Sequence, residues 1–438
     1  MNVELLTLLM FGSFFLLLAI GIPLAWSLLS LGLLFGLLMQ GPAIFTLLTY
    51  RTWDLIDNFA LIAIPMFIFM ANMLRYSGIA DELYNTIHVW LSSLRGGLAI
   101  ATIVVCTFLA AMVGTVGAGV TIMGLIALPA MLKRKYNKSL VLGSIIGGGS
   151  LGIMIPPSIT FIFYGVFAGL SIGKLFMGGV FTGLVLSGLF IAYIIVRSYL
   201  QPDFAPALPK EERTMPITQK LARTGSLVLP FLLILGVLGS IYLGVATPSE
   251  AAGVGAAGAI IAAAIRGRLT WLNLKQSLFS TLRIVGIIMW IAFGAYFFVG
   301  VYIRNGGAEF ATNLLLTLEL GKWGTLIVIL FILLILGMVL DPTGITVLTV
   351  PIFVPVVKAL GLDPIWFAVL FNIAIQIAFL SPPFGLGMFY LKAVAPPEIG
   401  MGDIYRAVVP FILLQIIGLA LTMMFPQIAI WLPNQMIK

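Results

Sequence analysis

The chain has 438 residues, of which 61% are hydrophobic and 9% charged, and its mean hydropathy is +1.17. A soluble domain carries about 25% charged residues, and a globule of this length could not cover so much apolar surface with so few polar groups. The composition therefore excludes a soluble protein and predicts several membrane-spanning helices of about 20 apolar residues each. The net charge of +8 comes from basic clusters between apolar runs, which is typical of membrane proteins and does not indicate nucleic-acid binding.

The first half of the chain contains a series of apolar runs. They cover about residues 4–20, 22–40, 59–74, 97–132, 139–170 and 175–196. The first run follows an acidic start, so it predicts a spanning helix and not a cleaved signal peptide. The mixed polar and apolar stretch at about 78–95 predicts an amphipathic helix along the membrane interface.

The 97–132 run is long, and Gly114, Gly117 and Gly119 interrupt its middle. It could form two spans or one re-entrant hairpin. Basic residues lie at both ends, at Arg95 and in Lys133–Lys138, and both ends therefore favour the cytoplasm. We therefore predict a hairpin, which gives each half five spans plus one hairpin. An odd number of spans inverts the second half relative to the first.

The second half repeats the first at an offset of roughly 225–229 residues. Matching segments occur in the same order. Pro23 corresponds to Pro248, Met112–Thr121 to Met338–Val347, and Ile155–Tyr164 to Ser381–Tyr390. A polar, proline-rich stretch at 197–223 separates the two halves and predicts an exposed linker. The sequence therefore predicts an all-α polytopic membrane protein built from two inverted repeats, 1–196 and 224–438.

Prolines and glycines break the apolar runs at four places, in two matched pairs. The breaks are Val113–Thr121, Gly147–Ser158, Leu340–Thr346 and Leu380–Gly387. Irregular backbone at membrane depth is tolerated where it is buried in protein or lines a cavity. Inverted repeats with broken helices are typical of secondary transporters, whose binding sites lie near the midplane. Freed carbonyls and hydroxyls offer oxygen ligands to Na⁺, and half-helix N-termini favour an anion.

These breaks supply the candidate binding residues. The predicted substrate contacts are Thr115, Ser158, Thr160, Asn372 and Ser381. The predicted Na⁺ ligands, some through backbone carbonyls, are Gly114, Thr115, Gly149, Ser150, Pro156, Asp341, Thr343, Gly344, Ser381 and Pro382. Asp341 is the one acid between Leu326 and Val357, and it could cap a helix or bind a cation.

Asn372 and Gln376 lie one helical turn apart in an apolar segment. They could form interhelical hydrogen bonds or line the cavity. The motifs HExxH and GxxxxGK[ST] do not occur, so we predict that the chain is not an enzyme and has no cofactor beyond Na⁺ as coupling ion.

The distribution of basic residues predicts the orientation. Most of them fall on one side of the predicted topology, including Lys133–Lys138 and the linker 197–223, which we therefore assign to the cytoplasm. Arg51, Arg304 and Lys322 then lie outside, as do both termini.

Three motifs carry a family resemblance. The segments GGGSLGIMIPPS (147–158), GVATPSEAAGVGA (244–256) and ALPAMLKRKYNKSLVLGSI (127–145) resemble the large membrane subunit of TRAP (tripartite ATP-independent periplasmic) transporters. The resemblance extends over nearly the whole chain. One difference is the tip of the first hairpin, GTVGAGV, which is serine-rich in many members.

The resemblance implies an elevator of the ion-transporter superfamily. Scaffold helices would occupy about 1–95 and 224–322, and the transport domain about 97–170 and 323–391. It also implies Na⁺-coupled uptake of organic acids such as C4-dicarboxylates, sialic acid or 2-oxo acids into a bacterial or archaeal cell across its cytoplasmic membrane. The implied partners are a periplasmic substrate-binding protein and a small four-helix membrane subunit, which we expect as a separate chain. The alternative is a stand-alone organic-anion carrier of the same superfamily.

Overall fold

The computed structural model describes residues 2–206 and 216–436, and all secondary structure in these ranges is helical. The linker residues Lys210, Glu211 and Arg213 lie outside the described ranges. The helices of the first half are α1 (Val3–Ala19), α2 (Leu24–Gln40), α3 (Ile44–Ile56), α4 (Ala63–Tyr76), α5 (Ile79–Leu91), α6 (Gly97–Val113), α7 (Val116–Lys133), α8 (Lys138–Ser150), α9 (Ile159–Ala168) and α10 (Ile172–Leu200).

The described residues of the second half are also helical. Its helices are α11 (Ile217–Tyr242), α12 (Pro248–Ile265), α13 (Trp271–Arg304), α14 (Gly307–Thr317), α15 (Gly321–Val339), α16 (Pro342–Ala359), α17 (Pro364–Leu380), α18 (Leu386–Lys392), α19 (Met401–Met424) and α20 (Gln427–Asn434). The single long helix α13 occupies the place of both α3 and α4. The inversion of the second half across the membrane stays a prediction.

The described part of the chain has nine helical segments that are long and apolar enough to cross a membrane. Large apolar side chains cover its outer surface, with Leu8 70% and Trp53 69% exposed. Such a surface is stable in lipid and not in water. The predicted all-helical, polytopic membrane fold is confirmed.

All four predicted breaks interrupt helices. Helix α6 ends at Val113 and α7 begins at Val116, while α15 ends at Val339 and α16 begins at Pro342. The other two breaks follow the ends of α8 at Ser150 and α17 at Leu380, and the Pro156–Pro157 and Pro382–Pro383 peptide bonds within them are cis. The predicted amphipathic helix is α5.

Helix α8 lies at the centre of the fold, and its glycines allow three neighbours to approach closely. A Cβ at Gly147 would collide with Phe411 of α19, and one at Gly148 would lie 2.9 Å from the sulfur of Cys106 on α6. A Cβ at Gly149 would collide with Val120 of α7. The GGGS motif is therefore a packing device, because only glycine leaves room for these helices.

The TPSE motif forms a capping box at the start of α12. The side chain of Thr247 accepts from the backbone N–H of Glu250, and the Glu250 carboxylate accepts from the N–H of Thr247 at 2.7 Å. The hydroxyl of Ser249 donates to the carbonyl of Phe59, just before α4, at 3.0 Å. The motif therefore joins α12 to α4, which packs on α12 and α13.

Candidate functional site

A cavity of about 390 Å³ lies where the four helix breaks meet. One wall comes from α4 and the middle of α13, and the opposite wall from the breaks. The residues that line it are Asn72, Arg75, Gly114, Thr115, Val116, Gly117, Ala118, Thr121, Ile153, Ser158, Ile159, Thr160, Ile284, Ile287, Ile288, Ile291, Asp341, Pro342, Thr343, Phe379, Leu386 and Tyr390. The carboxylate and most of the hydroxyls come from the breaks, whereas α13 contributes an apolar stripe.

The predicted site residues fall into two groups. Gly114, Thr115, Ser158, Thr160, Asp341 and Thr343 line the cavity. Gly149, Ser150, Pro156, Gly344, Asn372, Ser381 and Pro382 are not among the lining residues. In the second group, Asn372 forms a hydrogen bond with the cavity-lining Thr160. The Ser381 hydroxyl donates to the carbonyl of Ile377 in its own helix at 2.8 Å.

The two hairpin tips differ in how their second helix begins. Asp341 caps α16, because its carboxylate accepts from the backbone N–H groups of Thr343 at 2.9 Å and Gly344 at 3.3 Å. Thr115 occupies the equivalent position before α7, in extended conformation, and its side chain makes no capping hydrogen bond. One tip therefore carries its own negative charge, and the other is uncapped where it faces the cavity.

A buried hydrogen-bond chain holds the hydroxyls of the second break. Ser158 and Thr160 share a hydrogen bond of 2.8 Å, and the Thr160 hydroxyl donates to Oδ1 of Asn372 at 2.6 Å. Asn372 also donates to the carbonyl of Ala368 at 2.9 Å. Asn372 thus forms the interhelical hydrogen bond that the sequence left as one alternative, and it positions Thr160 from behind the cavity.

A second buried cluster joins three helices behind the site. The Ser150 hydroxyl accepts from Nε2 of Gln376 on α17 at 3.1 Å and from Nε2 of Gln415 on α19 at 2.9 Å. Within the described residues, the amide oxygens of both glutamines have no hydrogen-bond partner. Gln376 therefore also takes part in interhelical bonding, and Ser150 connects α8 to α17 and α19.

Sequence reasoning missed Asn72 and Arg75, which lie one turn apart on α4 and line the cavity. In the sequence, Arg75 is only a basic residue at the cytoplasmic end of a span. A usable signal is present, because Asn72 is a polar residue within an otherwise apolar run and Arg75 follows three residues later, on the same helix face. Tyr390 was also missed, and its ring lies 3.0 Å from where a Cβ at Gly117 would be.

Residues 11–428 match the family profile described as the tripartite ATP-independent periplasmic transporter, DctM component. The chain belongs to the DctM family. The resemblance predicted from the three motifs is confirmed, and a DctM-family chain is a transport protein, not an enzyme.

Curated relatives agree with this assignment, and a solved structure shows the same fold. The C4-dicarboxylate TRAP transporter large permease protein DctM of Pseudomonas aeruginosa is 30% identical over 408 residues, which cover 92% of this chain and 94% of that protein. The ectoine/5-hydroxyectoine TRAP transporter large permease protein UehC of Ruegeria pomeroyi is 32% identical, with 85% and 86% covered. The structure of MtrF of Neisseria gonorrhoeae, from a class of antimetabolite efflux pumps, has the same fold at a TM-score of 0.64 and 14% identity, with 89% and 85% covered.

Proposed function

We propose that this TRAP large permease subunit couples Na⁺ entry to the import of a small organic acid across a bacterial or archaeal cytoplasmic membrane. The observation that carries the proposal is the cavity at the four helix breaks. It combines hydroxyls, a carboxylate and helix N-termini at one place inside an apolar fold. Polar groups at membrane depth are costly and are typical of substrate and ion pathways.

Asp341 supports the coupling ion. It is the one carboxylate among the cavity-lining residues, and Thr343 beside it lines the cavity too. Carboxylate, hydroxyl and carbonyl oxygens are ligands for hard cations. The backbone N–H groups of Thr343 and Gly344 both donate to Oδ2 of Asp341, whereas Oδ1 accepts only from Gly344 among the backbone N–H groups and keeps a lone pair for a cation.

The walls of the cavity support an elevator. Asn72, Arg75 and the isoleucines of α13 belong to the predicted scaffold (1–95 and 224–322). The breaks belong to the predicted transport parts (97–170 and 323–391). The stripe of Ile284, Ile287, Ile288 and Ile291 offers no side-chain hydrogen bonds. The break-bearing helices could therefore slide past it without breaking polar contacts.

The proposed partners are a small four-helix membrane subunit on a separate chain and a periplasmic substrate-binding protein. The family description names a tripartite system, of which this chain is one component.

Uptake into proteoliposomes tests the proposal. The chain is reconstituted with the small subunit, and the binding protein is added outside with its radiolabelled organic acid. We expect uptake with an inward Na⁺ gradient and none when K⁺ or choline replaces Na⁺. Full uptake driven by a pH gradient in Na⁺-free buffer would contradict Na⁺ coupling. Equal uptake without the binding protein would favour the stand-alone carrier.

A further inference from the structure

Arg75 is the one basic residue among those that line the cavity, and it is partly buried on the last turn of α4. No carboxylate in the described residues lies within ion-pair distance of its guanidinium. The guanidinium lies beside the ring of Tyr76, 5.5 Å from the ring centre. A guanidinium in such a place is costly unless an anion binds it at some stage of the protein's work.

Neither the helix dipole nor Asp341 accounts for the charge of Arg75. A cation in the last turn of a helix is favoured by the dipole, but no hydrogen bond from Arg75 to a carbonyl of α4 is found in the described residues. Asp341 could pair with it across the cavity, yet that carboxylate is directed onto the N–H groups of Thr343 and Gly344. The positive charge therefore remains available to a ligand in the cavity.

The surroundings of Arg75 are arranged for an anion. Asn72, one turn earlier, is held by a hydrogen bond from Nδ2 to Thr281 of α13 at 3.0 Å, so this part of α4 is fixed against α13. Val116, Gly117 and Ala118, in the uncapped first turn of α7, line the same cavity. Their end of the helix favours negative charge.

We propose that Arg75 binds the carboxylate of the transported substrate and that the cavity accepts one carboxylate per molecule. This inference rests on the proposed function and identifies the substrate class as organic acids with a single carboxylate. A planar guanidinium binds a carboxylate through two parallel hydrogen bonds, which suits one such group.

The rest of the cavity argues against a second carboxylate. Apart from Arg75 its lining has no basic side chain that could pair with a second carboxylate. The isoleucine stripe of α13 would leave that charge without a partner, which is unfavourable in an enclosed cavity. The hydroxyls of Thr115, Ser158 and Thr160 fit uncharged polar groups, and the apolar stripe fits a hydrocarbon body.

Calorimetric titration of the purified chain in nanodiscs tests the proposal. The probes are succinate, succinamate and succinamide, which have nearly the same shape and carry two, one and no carboxylates. In NaCl we expect succinamate to bind at least as tightly as succinate and at least about tenfold more tightly than succinamide, which corresponds to ~1.4 kcal/mol. Arg75→Gln should lower succinamate affinity by at least tenfold and leave succinamide affinity unchanged.

Arg283→Gln is the matched control, because Arg283 lies on the neighbouring part of α13 and lines a different pocket. It should keep wild-type affinity for all three probes, and the unfolding midpoints of both variants should stay near that of the wild type. Wild-type affinity of Arg75→Gln for succinamate, a preference for succinate, or the failure of every probe to bind the wild type would overturn the proposal. Na⁺-driven uptake by the complete system is measured separately. A negative titration result together with normal Na⁺-driven uptake would therefore reject the role of Arg75 and leave the proposed function in place.

Discussion

At the scale of single residues, Asp341 has the first of the two roles that the sequence presents as alternatives, the helix cap, and its binding of a cation stays a prediction. Its carboxylate caps α16, and it lines the cavity. Asparagine is also a good helix cap, so exchange for Asn separates the charge from the capping hydrogen bonds. The same carboxylate cap occurs at Asp363, which accepts from Ile365 and Trp366 at 2.8 and 2.9 Å but lies exposed, away from the cavity lining.

We predict that Asp341→Asn lowers Na⁺-driven uptake by at least about tenfold, since a lost charged ligand costs more than ~1.4 kcal/mol. The protein should still fold, with an unfolding midpoint near that of the wild type. Uptake and thermal unfolding of the reconstituted variant are the measurements. Asp363→Asn changes an equivalent cap and should keep normal uptake. Wild-type uptake by Asp341→Asn at low Na⁺ would remove the carboxylate from the coupling mechanism.

Ser150 is a predicted ion ligand, and its observed contacts indicate a structural contribution. We predict that Ser150→Ala destabilises the fold, because two buried amide N–H groups lose their acceptor at about 1–3 kcal/mol each. Ser144 on the same helix is also buried, but its hydroxyl bonds to the carbonyl of Val141. Ser144→Ala should therefore shift the unfolding midpoint much less. Equal midpoints for the two variants would contradict the cluster's role.

At the scale of elements, the four breaks form the site because glycine and proline end helices at defined places. Gly114 ends α6 with φ +63°, and a Cβ there would collide with the carbonyl oxygen of Pro157. The first hairpin tip is thus in backbone contact with the second break. Gly169 ends α9 with a similar φ of +66°, but no atom lies within 4 Å of its Cβ position.

We predict that Gly169→Ala costs about 1–2 kcal/mol through its positive φ alone. Gly114→Ala should cost about 1–3 kcal/mol more, because the new methyl group displaces one break from the other. Thermal unfolding of both variants in detergent measures the difference, and uptake should fall mainly in Gly114→Ala. Similar behaviour of the two variants would show that the contact with Pro157 is unimportant.

At the scale of the whole molecule, the orientation in the membrane follows from charge and not from packing. The helix packing is compatible with either orientation, whereas the clusters of basic residues favour 197–223 in the cytoplasm and the Arg304–Lys322 segment outside. The proposed external binding protein can contact only residues on the outer side, such as those of the Arg304–Lys322 segment.

We predict that a cysteine at Glu319 reacts with an impermeant maleimide in intact cells, and that one at Asp203 in the linker does not. Both positions are exposed, so the side of the membrane decides whether the reagent reaches them. The native Cys106 is buried and should give little background. Labelling at Asp203 alone would reverse the assigned topology.

The fold class and the four breaks could be predicted, since they depend on local composition, and the re-entrant hairpins stay a prediction. Apolar run length predicts a span, and proline or glycine ends a helix through its own backbone. Asp341 and Thr115 could be found for the same reason, because they lie at the breaks.

The wall of the cavity opposite the breaks could not be predicted in this way. Arg75 looks like an ordinary charge at the end of a span until α4 packs beside α13 and faces the first hairpin. In the same way, the sequence does not show that α7, α17 and α19 pack around Gly149 and Ser150 of α8, whose role as ion ligands stays a prediction. Helix breaks are properties of neighbouring residues in the chain, whereas access to a cavity depends on helices that are far apart in sequence.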